Sequence, residues 1–165
     1  MSGAHVRPAR REDVGGVWAL LRGLASYERL DHEVTGSAEQ LAEDLFGERP
    51  RVECLVAEAE GALVGYALFF PIYSSFQTSP MLWLEDLYVV PERRGRGDGR
   101  ALLGELSRLA LARGCRRVGW IVLDWNIPSI RFYAGLGARR AGADWLLYGF
   151  DEAALAALAV PSRTA

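Results

Sequence analysis

A segment rich in glycine and arginine, VVPERRGRGDGRALL, spans residues 89–103, and its three glycines alternate at Gly95, Gly97 and Gly99. Glycine loses more conformational entropy on folding than other residues, so such a run marks backbone that turns sharply or approaches a ligand closely. A turn that leads into a helix presents free backbone N–H groups at the positive end of the helix dipole. Groups of this kind bind phosphate, and arginine adds a planar fork that suits the same anion.

The spacing of these glycines excludes two familiar phosphate-binding patterns. Their order is G-x-G-x-G, whereas the dinucleotide fingerprint is G-x-G-x-x-G and the phosphate loop ends in Gly-Lys-Ser/Thr. The second pattern also needs a lysine, and the sequence contains none. The glycines alone therefore leave two alternatives open, a phosphate-binding loop or an ordinary turn with solvated arginines.

Two adjacent acidic residues, Glu85 and Asp86, interrupt the apolar run MLWLEDLYVV. Neighbouring residues of a strand face opposite sides of its sheet, so we expect the two carboxylates to point away from each other. An ionised group among apolar neighbours is costly unless it gains a partner. We expect Asp86 to serve the structure by capping a backbone N–H or pairing with an arginine, and Glu85 to serve the function.

The elements that must position these residues are strands clustered together with helices interspersed. The predicted order is a strand at 5–10, a helix over 12–30, a helix from Ser37, a hairpin of strands at 52–59 and 62–70, a strand at 81–90, a helix over 98–114, a strand at 116–124, a short helix capped by Asn126, a strand at 144–150 and a helix from Asp151. Segment 71–80 is expected to interrupt the strands. This order predicts an α/β or α+β domain with a mostly antiparallel sheet.

The length and charge of the chain bound its class. A chain of 165 residues suits a single domain, which we place at residues 4–158 with a frayed tail at 159–165. A net charge of −2 argues against a nucleic-acid partner. The apolar runs are too short to cross a bilayer, so we expect no membrane partner.

Cysteine usage and the first residues predict a cytoplasmic location. The chain starts without the apolar stretch of a secretory signal, and its two cysteines, Cys54 and Cys115, are expected to be buried thiols in a reducing compartment. These cysteines and the two histidines, His5 and His32, lack zinc-ligand spacings, so we expect no metal.

The order R-x-x-G-x-G at residues 94–99 resembles the acyl-CoA loop of the GNAT acetyltransferase superfamily. Six segments occur in the order, and at nearly the spacing, of the spermidine/spermine N-acetyltransferase group within it: VRPAR, LASYE, CLVAE, WLEDLYV, RGRGDGRALL and DWNIPSIRFYAGLGA. The likeness covers residues 6–150. It implies the GNAT fold, an α/β (α+β) domain whose mostly antiparallel central sheet splays between the fourth and fifth strands and is flanked by helices.

The resemblance also implies the co-substrate, acetyl-CoA, and the residues that bind it. Its pantetheine arm would contact Leu87, Tyr88 and Val89 on the fourth strand, together with Asn126 and Ser129. Its diphosphate would contact Arg94, Gly95, Arg96, Gly97, Asp98, Gly99 and Arg100. Position 98 departs from the family pattern, which usually has an apolar residue there. Its carboxylate should repel the diphosphate and weaken binding unless Arg96 or Arg100 compensates.

For catalysis, the resemblance implies two residues with complementary duties. Glu85 would face the amine and accept its proton through water or orient the cation. Such help is needed because an aliphatic amine with a pKa of about 10.4 is mostly protonated at neutral pH. Tyr133 would donate a proton or hydrogen bond to the departing thiolate; the alternative is a core tyrosine that packs beside Phe132.

For substrate, the resemblance implies contacts from Tyr27, Glu28, Glu85 and Asp144. Carboxylates between aromatic walls suit a polycation, although Tyr27 and Glu28 could instead form the solvated end of a helix. Our first hypothesis is a homodimeric N-acetyltransferase that transfers acetyl directly to a primary amine of a polyamine, a diamine or a thialysine-like substrate. The alternative is a noncatalytic acyl-CoA-binding or interaction domain.

Overall fold

A computed structural model describes residues 3–140, 142 and 147–159 of the chain. Its contacts divide the chain into two compact units, Met1–Leu123 and Asp124–Ala165. That residues 4–158 form one domain stays a prediction. Of the predicted tail at 159–165, residue 159 ends the last helix and the remainder lies outside the described residues.

The first unit contains a five-stranded sheet in which the strands follow their sequence order. The strands are β1 (His5–Pro8), β2 (Glu53–Ala59), β3 (Ala62–Ser74), β4 (Ser79–Val89) and β5 (Val118–Gly119). Neighbours from β1 to β4 are antiparallel, whereas β4 and β5 are parallel and pair only at Leu82↔Val118 and Trp83↔Gly119. The predicted mostly antiparallel sheet is confirmed. Because the parallel pair is so short, the last part of β4 pairs only with β3 among the residues that the structure describes.

Three helices of the first unit cover the two faces of this sheet. They are α1 (Val14–Glu28), α2 (Ala38–Phe46) and α3 (Asp98–Ala112). The predicted start of α2 is confirmed, because the hydroxyl of Ser37 accepts the backbone N–H of Gln40 at 3.2 Å. The second unit contains α4 (Ile127–Gly135) and α5 (Glu152–Ala159).

Alternation along the strands sends apolar side chains into two separate cores. In β2, for example, Leu55 and Ala57 join one core while Cys54 and Val56 join the other, as a period of two requires. The first core includes Leu102 and Leu106 of α3, and the second includes residues of α1 and α2. The glycine-rich turn therefore lies on the face of the sheet that α3 covers. Strand β4 contributes side chains to both cores.

Three predicted segments differ from the structure. Residues 71–74 continue β3, because Tyr73 and Ser74 pair across the hairpin with Pro80 and Ser79; this long-range pairing overrides the local composition. Only residues 118–119 of the strand predicted at 116–124 are extended in the sheet, and residues 147–150 of the strand predicted at 144–150 are not in a strand. Residues 144–146 lie outside the described part. None of the described helices is both long and apolar enough to span a membrane.

Candidate active site

The glycine-rich turn joins β4 to α3, as predicted from the sequence. A single 3-10 turn covers Pro91–Arg93, and residues 94–97 then lead into the helix. Gly95 and Gly97 have φ values of +76° and +92°, which lie in the left-handed region that favours glycine. Gly97 caps α3, and its carbonyl accepts the N–H of Ala101 at 2.9 Å. The first N–H groups of α3 therefore lack acceptors within the helix.

The surroundings of this turn suit a bound anion. Arg94, Arg96 and Arg100 are exposed around it. A Cβ built at Gly95 or Gly97 would meet nothing within 4 Å, so the turn borders open space. Free amides at a helix N-terminus with arginines nearby are the donors that a phosphate group needs. These residues fit the diphosphate of acetyl-CoA, whose binding here stays a prediction.

Asp98, the residue that departs from the family pattern, is 2% exposed and its carboxylate is fully engaged. One oxygen accepts Nε of Arg93 at 2.8 Å, and the other accepts Nη2 of Arg93 and the backbone N–H of Ala4, each at 3.2 Å. The hydrogen-bonded guanidinium lowers the pKa of this carboxyl below its ordinary value. Compensation for its charge therefore comes mainly from Arg93, a residue that sequence reasoning did not consider, and the charge of Arg96 contributes as well. The reason to expect weakened cofactor binding is removed.

The last part of β4 directs backbone groups to an edge that β5 does not reach. The N–H of Val90 donates to the carbonyl of Val64 in β3 at 2.9 Å. Because successive residues of a strand direct their backbone groups to opposite edges, Val89 and Leu87 direct theirs away from β3. On that edge the carbonyl of Val89 accepts Nε of Arg94 at 3.1 Å. The backbone groups of these two residues therefore face that edge, and their contact with the pantetheine arm stays a prediction.

Tyr88, the third predicted contact on β4, is oriented differently. It is paired with Tyr66 of β3, and its ring is buried in the core beneath α1 and α2. The backbone at Gly23 of α1 lies so close that an added Cβ would be 3.0 Å from the phenol oxygen of Tyr88. At this edge of β4, the backbone groups of Leu87 and Val89 are the ones that face a ligand, whereas the side chain of Tyr88 packs in the core.

A β-bulge changes the direction of the two acidic residues. Leu84 pairs with Phe69 and Asp86 with Leu68, so β4 holds one extra residue, Glu85, between two consecutive residues of β3. One extra residue reverses the alternation of everything that follows it. The prediction that the two carboxylates point to opposite faces is therefore wrong, and both lie on the face that α1 covers.

The two carboxylates have different partners on that face. Glu85 is exposed and accepts Nε1 of Trp83 at 2.9 Å. Asp86 is partly buried and accepts the phenol of Tyr66 at 3.0 Å, where we expected an arginine or a backbone N–H. Burial raises the pKa of Asp86 to about 6; the Tyr66 hydrogen bond opposes this rise, and the charges of Glu85 and Glu28 add to it.

The end of α1 contributes two of the predicted substrate residues to the same area. Tyr27 lies beneath the guanidinium of Arg94, with 4.5 Å between the guanidinium carbon and the ring centre; the same group lies 5.7 Å from the ring of Tyr88. Glu28, the last residue of α1, is partly buried, and this burial raises its pKa. A raised pKa is not expected of a fully solvated helix end, so the alternative for Glu28 loses support.

These contacts define what we call the acidic cluster, which consists of Glu28, Glu85 and Asp86. Its three carboxylates are close enough for the other two to influence Asp86, and Trp83, which donates a hydrogen bond to Glu85, supplies aromatic surface beside it. Like charges held together favour a cation between them. Asp144, the fourth predicted substrate contact, lies outside the described residues.

The second unit holds the remaining predicted residues on one short helix. The amide oxygen of Asn126, which is 4% exposed, accepts the backbone N–H of Ser129 at 3.3 Å and so caps α4. Tyr133 lies in α4, and its ring centre is 5.3 Å from that of Phe132. The predicted cap is confirmed, while the pantetheine contacts of Asn126 and Ser129 and the acid role of Tyr133 stay predictions.

Sequence reasoning missed Asp86 and its partner Tyr66 as members of the site. A signal was present, because apolar residues at 82, 84, 87 and 89 change their spacing from two to three and back. All four of these side chains pack in the first core, the one that includes α3. The change of spacing therefore marks the bulge. Arg93 was also missed. An acidic residue inside the loop needs a cationic partner, and this requirement could have indicated Arg93.

Comparison with known proteins supplies the class. The profile of the Acetyltransferase (GNAT) family matches residues 20–138. Thialysine N-epsilon-acetyltransferase of Mus musculus is 38% identical over 96% of this chain and 99% of its own length. Spermidine/spermine N(1)-acetyltransferase-like protein 1 of Homo sapiens is 32% identical over 90% of this chain, which corresponds to 22% of that protein.

Solved structures show the same fold. An integron cassette protein from V. cholerae superposes with a TM-score of 0.79 at 22% identity, covering 98% of this chain and all of that one. An aminoglycoside acetyltransferase from a soil metagenome gives a TM-score of 0.74 at 15% identity, covering 89% and 96%. At these identities the likeness shows the fold alone.

The fold and the curated relatives together define an N-acetyltransferase, an enzyme that transfers an acetyl group to an amine. The chain belongs to the GNAT acetyltransferase family. The comparisons give no support to the alternative of a noncatalytic domain.

Proposed function

We propose that this enzyme uses acetyl-CoA to acetylate a primary amine of a small polycationic substrate, such as a polyamine, a diamine or a thialysine-like amino acid. The acidic cluster of Glu28, Glu85 and Asp86 is the observation that carries the proposal, since it would attract and hold a substrate with separated ammonium groups. The names of the relatives, which include acetyltransferases of thialysine and of spermidine or spermine, agree with this substrate class.

In the proposed reaction, a bond forms between the amine nitrogen and the acetyl carbonyl carbon, and the bond from that carbon to the sulfur of the thioester breaks. Glu85 takes the proton of the substrate ammonium, directly or through water, because only the neutral amine is a nucleophile. Tyr133 gives a proton or hydrogen bond to the leaving thiolate, and the second proton that the nitrogen loses on becoming an amide passes to the tyrosinate or to solvent. The free amides at the start of α3 hold the diphosphate, the β4 edge at Leu87 and Val89 aligns the pantetheine arm, and Asn126 and Ser129 contact that arm.

Direct transfer, without an acyl-enzyme, is consistent with the state of the cysteines. Cys54 and Cys115 are free and buried, which agrees with the cytoplasmic location that we propose. Burial raises the pKa of Cys54 to about 12, so its thiol does not form the thiolate that attacks a thioester.

We also propose a homodimer. Large apolar side chains of the second unit are exposed, among them Leu147 at 83%, Tyr148 at 86% and Phe150 at 66%. Contiguous exposed apolar residues of this kind are typical of surfaces that a protein partner covers. Sedimentation equilibrium tests this directly, with twice the chain mass expected and a monomer at micromolar concentration contradicting it.

The function is tested by thiol release from acetyl-CoA in the presence of spermidine, putrescine, thialysine, lysine and short basic peptides, each against a blank without amine. We expect turnover with at least one of the small polycations and none with the blank. Flat responses to every amine, together with tight binding of CoA, would contradict the proposed substrate class.

A further inference from the structure

The buried ion pair between Arg93 and Asp98 closes the glycine-rich turn at its base. These two residues flank residues 94–97 on either side, and their side chains meet through two hydrogen bonds of 2.8 and 3.2 Å. Both side chains are withdrawn from solvent, with 11% of Arg93 and 1% of Asp98 exposed. The pair therefore fixes the distance between the two ends of the turn.

The same carboxylate also connects the turn to the start of β1. It accepts the backbone N–H of Ala4, a residue 94 positions away in the sequence. Asp98 thus joins three segments: the 3-10 turn after β4, the first turn of α3 and the chain that enters β1. A carboxylate at the start of a helix could bond to the free amides of its own helix, as capping residues do. Here it bonds to Arg93 and Ala4 instead, and those amides stay available for an anion.

The turn needs such a restraint because its own residues make few packing contacts that would fix its conformation. Gly95 and Gly97 have no side chains to pack, and a Cβ at either would meet nothing within 4 Å. Glycine backbone has the most conformational freedom to lose, and a ligand that must order it binds more weakly than one that meets an ordered site.

We infer that Arg93 and Asp98 are positioning residues, which hold the amides at the start of α3 in the arrangement that receives the diphosphate of acetyl-CoA. This inference rests on the proposed function. It reverses our expectation for Asp98, whose carboxylate strengthens cofactor binding through the backbone, although its charge alone would weaken that binding. The family pattern has an apolar residue at this position, so the ion pair is a different solution to holding the turn.

The chain offers a matched control for the test. Asp13 accepts two hydrogen bonds from Arg7, at 2.6 and 2.9 Å, and one from the backbone N–H of Arg10 at 2.7 Å. It is buried at 8% exposure, so it repeats the environment of Asp98 at the start of α1 instead of α3. Both carboxylates belong to buried pairs, and removing either should destabilise the fold to a similar degree.

The experiment compares Asp98→Asn with Asp13→Asn by calorimetry with CoA, and by kcat/KM with two acetyl donors, acetyl-CoA and S-acetylpantetheine, which lacks the diphosphate. We expect Asp98→Asn to weaken CoA binding and to lower kcat/KM for acetyl-CoA about tenfold or more, with less than a twofold change for S-acetylpantetheine. Asp13→Asn should leave CoA binding within twofold of the wild type.

Arg93→Lys keeps the fold testable if Asp98→Asn unfolds, because lysine preserves the charge but loses the fork that makes two bonds. We expect an intermediate loss, specific to acetyl-CoA. Equal losses with the two donors, equal losses in the two Asp→Asn variants, or wild-type CoA binding by Asp98→Asn or Arg93→Lys would overturn the inference. If the wild type itself gives no heat with CoA, the proposed function falls first, so the two failures are distinguishable.

Discussion

Replacing Asp86 with asparagine should stabilise the protein at neutral pH, and the gain should vanish in acid. The pKa of Asp86 is raised to about 6 in the folded chain, against an ordinary value of 3.8, chiefly by burial. A carboxyl with a raised pKa favours folding while it is protonated, so the wild type loses stability as pH rises from about 4 to above 6. Asparagine keeps an acceptor for the phenol of Tyr66 and carries no charge at any pH.

The size of this effect follows from the two pKa values. A pKa of about 6 against 3.8 corresponds to about 3 kcal/mol, at 1.36 kcal/mol for each tenfold change in proton affinity. Asp86 is only partly buried, and water screens part of its charge, so about 1–2 kcal/mol is the realistic figure. A gain of this size on removing a charged group is expected where a site residue is retained for function at a cost in stability.

Urea denaturation of the wild type and Asp86→Asn at pH 4, 5, 6, 7 and 8 measures the difference directly. The free energy of unfolding of the variant should exceed that of the wild type by about 1–2 kcal/mol at pH 8 and match it at pH 4. Asp98→Asn is the opposite control: the pKa of Asp98 is lowered, so its loss should be constant between pH 5 and 8. A constant difference for Asp86→Asn, or a loss of stability at pH 8, would refute the assignment of a costly ionised carboxylate.

Three further predictions concern the reaction and the turn. Tyr133→Phe should lower kcat by about 10²-fold with an unchanged circular dichroism spectrum, since one acid group is lost; unchanged turnover would exclude the acid role. Gly97→Ala places a side chain at a φ of +92° and should cost about 1–2 kcal/mol of stability. Calorimetry should also show that this variant loses most of its CoA affinity. Gly114→Ala, at a φ of +70°, should lose stability only, and equal CoA affinity in the two variants would contradict this prediction. The double variant Cys54→Ser, Cys115→Ser should retain turnover with intersecting initial-rate plots, and parallel plots would indicate an acyl-enzyme.

Local patterns were sufficient where the structure is made by local forces. Ser37 with Gln40 predicted a helix start, and the hydroxyl does accept that N–H. The glycines after β4 predicted a turn into a helix, and Gly95 and Gly97 do adopt left-handed backbone. Each of these features depends on a few neighbouring residues, so the local sequence is sufficient to predict it.

Features that depend on distant pairing were predicted less well. Residues 71–74 read as an interruption, yet the opposite arm of the hairpin draws them into β3. The bulge at Glu85 exists only as a register difference between two strands, and a rule of simple alternation gave the wrong face for it. Arg93 was not identified as the partner of Asp98, because several arginines lie near it in sequence and only folded geometry selects Arg93 from among them.

The central claim is that free amides where α3 begins hold the diphosphate of acetyl-CoA. An ¹H–¹⁵N correlation spectrum of the labelled protein, titrated with CoA and separately with pantetheine, tests this most directly. We predict that the amide signals of Gly95, Gly97 and Gly99 shift strongly with CoA and little with pantetheine, while those of Leu87 and Val89 shift with both. If CoA binds and the three glycine amides do not move, the claim is contradicted.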